Sequence, residues 1–125
     1  MRRTLIALAL AVTPGVALAQ PPATGTTHTF HDPIFTGTVF CDTLSQVTAI
    51  ATAERPSEVY LDYLQTPNEL NEPTCATIIP TGVVVDVRPL GVMSEDGQLF
   101  QAWAVETQVG EATGFALYLE QMVIA

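Results

Sequence analysis

The first sixteen or so positions after Arg2 and Arg3 are the most apolar stretch of the chain. Leu5 to Val12 is an unbroken apolar run, too short to cross a hydrocarbon core of about 30 Å as a helix. Pro14 and Gly15 break it, and Ala17-Leu18-Ala19 then places small residues where a signal peptidase inspects its substrate. This order of positive start, short apolar core, breaker and small-residue site predicts a cleavable export signal over residues 1–19, with cleavage before Gln20. Residues 20–33 are rich in Pro, Thr and Gly, carry no apolar period, and are expected to form a flexible segment. Residues 34–125 carry regular patterning throughout and are expected to form a single domain.

Within that domain the period switches from two to 3.6 and back. Ile34 to Phe40 is a β-type run ending at Cys41. Thr43 and Gln46 have capping-box spacing, and Leu44, Val47, Ile50 and Ala51 recur at helical intervals, predicting a helix from Asp42 to about Ala53. Pro56-Ser57-Glu58 marks a second helix start, with Val59, Tyr60, Tyr63 and Leu64 on one face and Glu58 and Asp62 turned to water. Pro67 ends it, and a polar loop leads to Cys75. Cys75 to Ile79 reads as a short strand stopped by Pro80. Val83 to Arg88 alternates, and Pro89 and Gly91 are expected to interrupt it. Asp96-Gly97 is a hairpin signal. Phe100 to Val109 alternates with Trp103, Val105, Thr107 and Val109 on one face. After Gly110 and Gly114, Phe115, Leu117 and Leu119 share a face opposite Ala116, Tyr118 and Glu120. The order predicts an α+β, mostly β fold: a small antiparallel barrel or curled sheet, with a two-helix insert after the first strand.

Charge changes the picture of partners. The chain has thirteen acidic residues and four Arg, a net charge of −9. Removal of residues 1–19 leaves 106 residues, with Arg55 and Arg88 against all thirteen acids, a net charge of −11. Such a chain repels nucleic acid and anionic lipid, and a cationic partner or a salty exterior suits it better, although acidity of this size is first of all the mark of a solvated surface. No later segment is long and apolar enough to hold it in a membrane as a helix. The compartment expected is the periplasm or the exterior. There an even cysteine count implies a disulfide, and Cys41 and Cys75 allow one intramolecular pairing.

The stretch from Thr81 to Val123, with G-V-V-V-D-V, A-W-A-V-E and G-F-A-L-Y-L, resembles the second half of a bacterial Src-homology-3-like barrel domain. The matching positions are Val83 to Val87, Trp103 to Val105, and Gly114 to Tyr118, about a third of the chain. The two helices after the first strand depart from that family. The resemblance implies binding of cell-wall peptides or protein segments, without catalysis.

Candidate chemistry is sparse. His28, His31 and Asp32 are the only clustered metal-ligand types, and they lack an obvious fourth ligand. Ser45, Ser57 and Ser94 lie at helix starts or turns, where hydroxyls cap backbone, and no nucleophile motif accompanies them. The pattern calls for no cofactor. Tyr118, Tyr60, Tyr63 and Trp103 are the candidates for an aromatic binding surface, with Trp103 and Phe115 also suited to the core. The expected function is a non-catalytic exported binding module. The alternatives are an acidic inhibitor of a cationic wall hydrolase and a small hydrolase with a carboxylate pair.

Overall fold

The computed structural model describes residues 20–31, 37–67, 69 and 73–122. The expected export signal, Asp32 and the front of the expected first strand, Ile34 to Thr36, lie outside those residues.

Six strands and two helices follow in the order β1 (Thr27–Thr29), β2 (Thr38–Cys41), α1 (Leu44–Thr52), α2 (Pro56–Leu64), β3 (Cys75–Ile78), β4 (Thr81–Glu95), β5 (Gln98–Val109) and β6 (Ala112–Gln121). The strands form one antiparallel sheet in the spatial order β1-β4-β5-β6-β2-β3. The fold is therefore mostly β with two helices, as the periodicity predicts. Thr27–Thr29 lies in the stretch whose composition suggests a flexible segment. Its strand comes from backbone pairing with Thr81–Val83, which composition does not reveal. The helical insert accordingly follows the second strand, not the first.

Local chemistry explains the elements. Thr43 caps α1, accepting from the Gln46 N–H while the Gln46 side chain accepts from the Thr43 N–H. That reciprocal box satisfies two amides that a helix start leaves without partners. Pro56 opens α2 at a position where its missing N–H costs nothing. Asp96 and Gly97 both take positive φ, 52° and 76°, the combination a two-residue hairpin turn needs to match strand twist.

Pro89 and Gly91 bend β4 instead of ending it. Register shifts fall between Val84 and Asp86 and between Pro89 and Gly91. β1 pairs only with the start of β4, so Pro89 lies where a missing ladder donor is tolerated. The first shift also redirects the valines. Val84 faces Thr107 and Val87 faces Val105, so both look the same way although three residues apart. Val84 is buried, whereas Val83 and Val85 are exposed.

The two faces of the sheet hold two apolar clusters. On the helix face, Val47, Ile50, Ala51 and Tyr60 pack on Val39, Met93, Phe100, Ala102, Ala104, Leu117 and Leu119. On the other face, Phe30 packs on Val84, Trp103, Val105 and Ala116. Phe30 is fully buried, so the segment before it forms a strap across this face. The sheet curls toward the strap. In a flat sheet His28 and Tyr118 would stand roughly 25 Å apart, about three strands across and six residues along. Their ring centroids are 6.2 Å apart, and the result is a half-barrel.

Cys41 and Cys75 face each other across β2 and β3 and are bonded, with Cα atoms 4.0 Å apart. The bridge closes the helical insert at its base and is buried under the helices. Replacing both cysteines with Ala should lower the unfolding free energy by about 4 kcal/mol, the chain-entropy contribution of a loop this long, read by urea denaturation. Gly114→Ala should cost at least about 1–3 kcal/mol, because a methyl there is driven into the Phe40 ring.

Candidate functional site

The structure divides the four aromatic candidates between opposite faces. Tyr60 and Tyr63 lie on α2 over the helix face. Tyr60 is buried, and its hydroxyl is hydrogen-bonded to Thr77 on β3. Trp103 and Tyr118 are cross-strand partners on the strap face, with ring centroids 5.6 Å apart. Trp103 is only 8 % exposed, and Tyr118 is half-buried. Phe115 packs toward the helices, away from Trp103. These residues therefore do not converge on one groove.

His28 stands edge-on to Phe30, with ring centroids 4.6 Å apart, and also meets Tyr118. Its place in this aromatic cluster gives it a packing role. His31 is exposed, and Asp32 lies outside the described residues. Among the described residues no group of three His, Cys, Asp or Glu side chains could hold a metal ion.

Tyr118 ties the strap to β6. Its hydroxyl lies 3.0 Å from Glu120 Oε2 and 3.3 Å from the Gln20 carbonyl oxygen, and can donate to either. Burial, reinforced by the hydrogen bond to Glu120 and by its charge, pushes the phenol from 10.0 up to about 12. Ionisation would place a second negative charge beside Glu120 in a partly dry setting.

A concave feature of the surface lies elsewhere. A cleft of about 370 Å³ opens between the helix junction and the tip of the β4–β5 hairpin. Glu54, Arg55, Pro56, Ser57 and Glu58 form one wall, and Ser94, Glu95, Asp96 and Gly97 the other. Four carboxylates thus meet one cation. Arg55 is already engaged, with its guanidinium 3.1 Å from Glu58. Both members of that pair are well exposed, so it contributes little to stability. Glu95 Oε1 is buried with no hydrogen-bond partner, although buried acceptors nearly always have one. Ser57 and Ser94 line the cleft, and among the described residues of the lining there is no histidine beside them to make a nucleophile–base pair of the serine-hydrolase kind. Chemically, the cleft suits a donor-rich cation. Sequence reasoning took Glu95-Asp96-Gly97 for a turn, which it is. It missed the cleft because the opposite wall comes from residues about forty positions earlier, and periodicity says nothing of that approach.

Comparison of the chain with protein-family models, with curated proteins and with solved structures finds no match.

The Tyr118 shift has a testable sign. The unfolded phenol ionises near 10 and the folded one near 12. The stability linked to this group is therefore complete below pH 10 and is lost as pH rises from 10 through 12. Ultraviolet titration should show one tyrosine ionising about two pH units above its ordinary value. Tyr118→Phe should abolish that late step and weaken the decline in stability over the same window.

Proposed function

We propose that the chain is exported by cleavage of its first nineteen residues and acts as a non-catalytic interaction module. Its acidic cleft receives a Lys or Arg side chain from a cationic protein partner. The observation that carries this reading is the cleft lining, where Glu54, Glu58, Glu95 and Asp96 surround one cation, Arg55, itself paired with Glu58. A guanidinium or ammonium entering the cleft would form charge-assisted hydrogen bonds with these carboxylates. The net charge of −11 expected after cleavage would speed the encounter by electrostatic steering. A cationic cell-wall hydrolase, with the chain as its inhibitor, is the partner class this favours. The Cys41–Cys75 bridge supports an oxidising compartment. A cell-wall peptide ligand rests on the barrel resemblance and has less support, because the aromatics that would form its groove are dispersed over two faces.

The curled half-barrel and its Trp-bearing central strand also support a distant kinship with Src-homology-3-like barrels. That kinship concerns fold, and fold is a weak warrant for function. The functional reading rests on the cleft.

The test is titration of the exported protein against a lysozyme-type cationic hydrolase at about 20 mM and about 200 mM salt. Binding should weaken steeply over that range. The double variant Glu95→Gln/Asp96→Asn should bind at least about tenfold more weakly, in line with loss of a charge-assisted hydrogen bond worth about 1.5–3 kcal/mol. Equal affinity of variant and parent, or no binding at low salt, would contradict the reading.

A further inference from the structure

We propose that cleavage of the Ala19–Gln20 bond also completes a site for the new amino terminus, formed by Glu120 and Tyr118 on β6. The inference rests on the export reading above. Hydrolysis of that bond adds water, leaving a carboxylate on Ala19 and an α-amino group on Gln20. In the unprocessed chain the same nitrogen is an uncharged amide. In the processed chain it takes up a proton and becomes a cation in a region rich in carboxylates.

Two distances and the exposure of Glu120 place that cation. The Gln20 carbonyl lies 3.3 Å from the Tyr118 hydroxyl, which is itself 3.0 Å from Glu120 Oε2. The backbone nitrogen of a residue lies within about 4 Å of its own carbonyl oxygen. The three links together bring the Gln20 nitrogen within about 10 Å of the carboxylate, a Debye length at 0.1 M salt. Glu120 is exposed, and a rotation of its side chain away from Tyr118 would close the remaining distance.

The strap behind Gln20 is held along its length. Gln20 precedes Pro21, which restricts it to extended backbone. Gly25 donates to the Val84 carbonyl at 2.7 Å, and Val84 donates to the Thr26 carbonyl at 2.9 Å. The His28 ring rests against Tyr118. Among the described residues, the titratable groups that meet Tyr118 at the site are Glu120 from β6 and His28 from β1. The neighbour of Glu120 on β5 is Gln101, and the next on β4 is Val92, neither of them charged. Glu120 is thus the anion available to the new terminus, and Tyr118 holds the adjacent carbonyl.

A seated, protonated amine has a chemical consequence. An amino-terminal glutamine can cyclise: the α-nitrogen attacks the side-chain Cδ, and ammonia leaves. Only the unprotonated amine can attack. Holding the proton on Gln20 therefore slows this loss and preserves the charged terminus.

The full chain, expressed with its leader in a secreting bacterial host, tests this. The intact mass of the exported product should begin at Gln20 without loss of ammonia. By NMR titration of labelled protein, the α-amine should ionise at least half a pH unit above its ordinary range of about 7.7–8.0. Glu120→Gln should return it to that range and speed cyclisation at least about threefold at neutral pH, the increase in free amine that half a unit implies. Glu120 is exposed, so this variant keeps the fold. Glu111→Gln, in the turn at the other end of β6, should leave both readings unchanged. A product beginning elsewhere overturns the processing and the site with it. A product beginning at Gln20 that is already cyclised, or whose amine titrates ordinarily and ignores Glu120→Gln, overturns the site alone.

Discussion

The structure depends on a central strand that is apolar on both sides. Ala102, Trp103, Ala104 and Val105 are consecutive on β5, and all four are buried. A strand with one wet face alternates apolar and polar residues; this one does not, so both faces must be covered. The helices cover one face through Val47, Ile50 and Tyr60. The strap covers the other through Phe30. Removing either cover would leave apolar area exposed at a cost of about 25 cal/mol per Å². The disulfide, the capping box and the curl of the sheet serve this arrangement. The bridge anchors the helical insert to β2 and β3, at one side of the sheet it must cover, and the curl lets a short strap reach from the edge of β4 to Tyr118.

What could be read from the chain alone follows from the range of each interaction. Thr43 and Gln46 are three residues apart, and their capping box predicts α1 correctly. Asp96-Gly97 predicts its hairpin because two adjacent residues must take positive φ. The pairing of Cys41 with Cys75 was legible because no other cysteine competes. Long-range effects were not legible. Thr27–Thr29 has no apolar period, yet it pairs with β4. Val87 shares the face of Val84, and not that of Val83 and Val85, because of a bulge that depends on the register against β5. Pro89 and Gly91 look like strand breakers, and they are tolerated because β4 is an edge there. Trp103 was expected in the core, where it lies. Its separation from Phe115 follows from cross-strand register, which single-strand patterning does not carry.

The acidic surface acquires meaning from this architecture. Carboxylates spread along a chain repel one another weakly and remain solvated. The junction of α1 and α2, packed beside the β4–β5 hairpin, gathers four of them around one cleft. It also buries one oxygen of Glu95 without a donor. At the other acidic position, Glu120 stands beside the end of the strap through Tyr118. Both places gain their chemistry from the elements that cover the two faces of β5. Covering the core and shaping the surface are thus one structural problem.

The central claim is that the strap from Gln20 to Phe30 is a structural cover and not a loose leader. Amide hydrogen exchange tests it most directly. The N–H groups of Gly25 and Phe30 donate to Val84 and Pro80, and the N–H of Val84 donates to Thr26. If the strap covers the core, these three amides exchange slowly, on the timescale of the amides of Ala102 to Val105 on β5. Exchange of Gly25 and Phe30 at the rate of an unstructured peptide, with β5 still protected, would contradict the account.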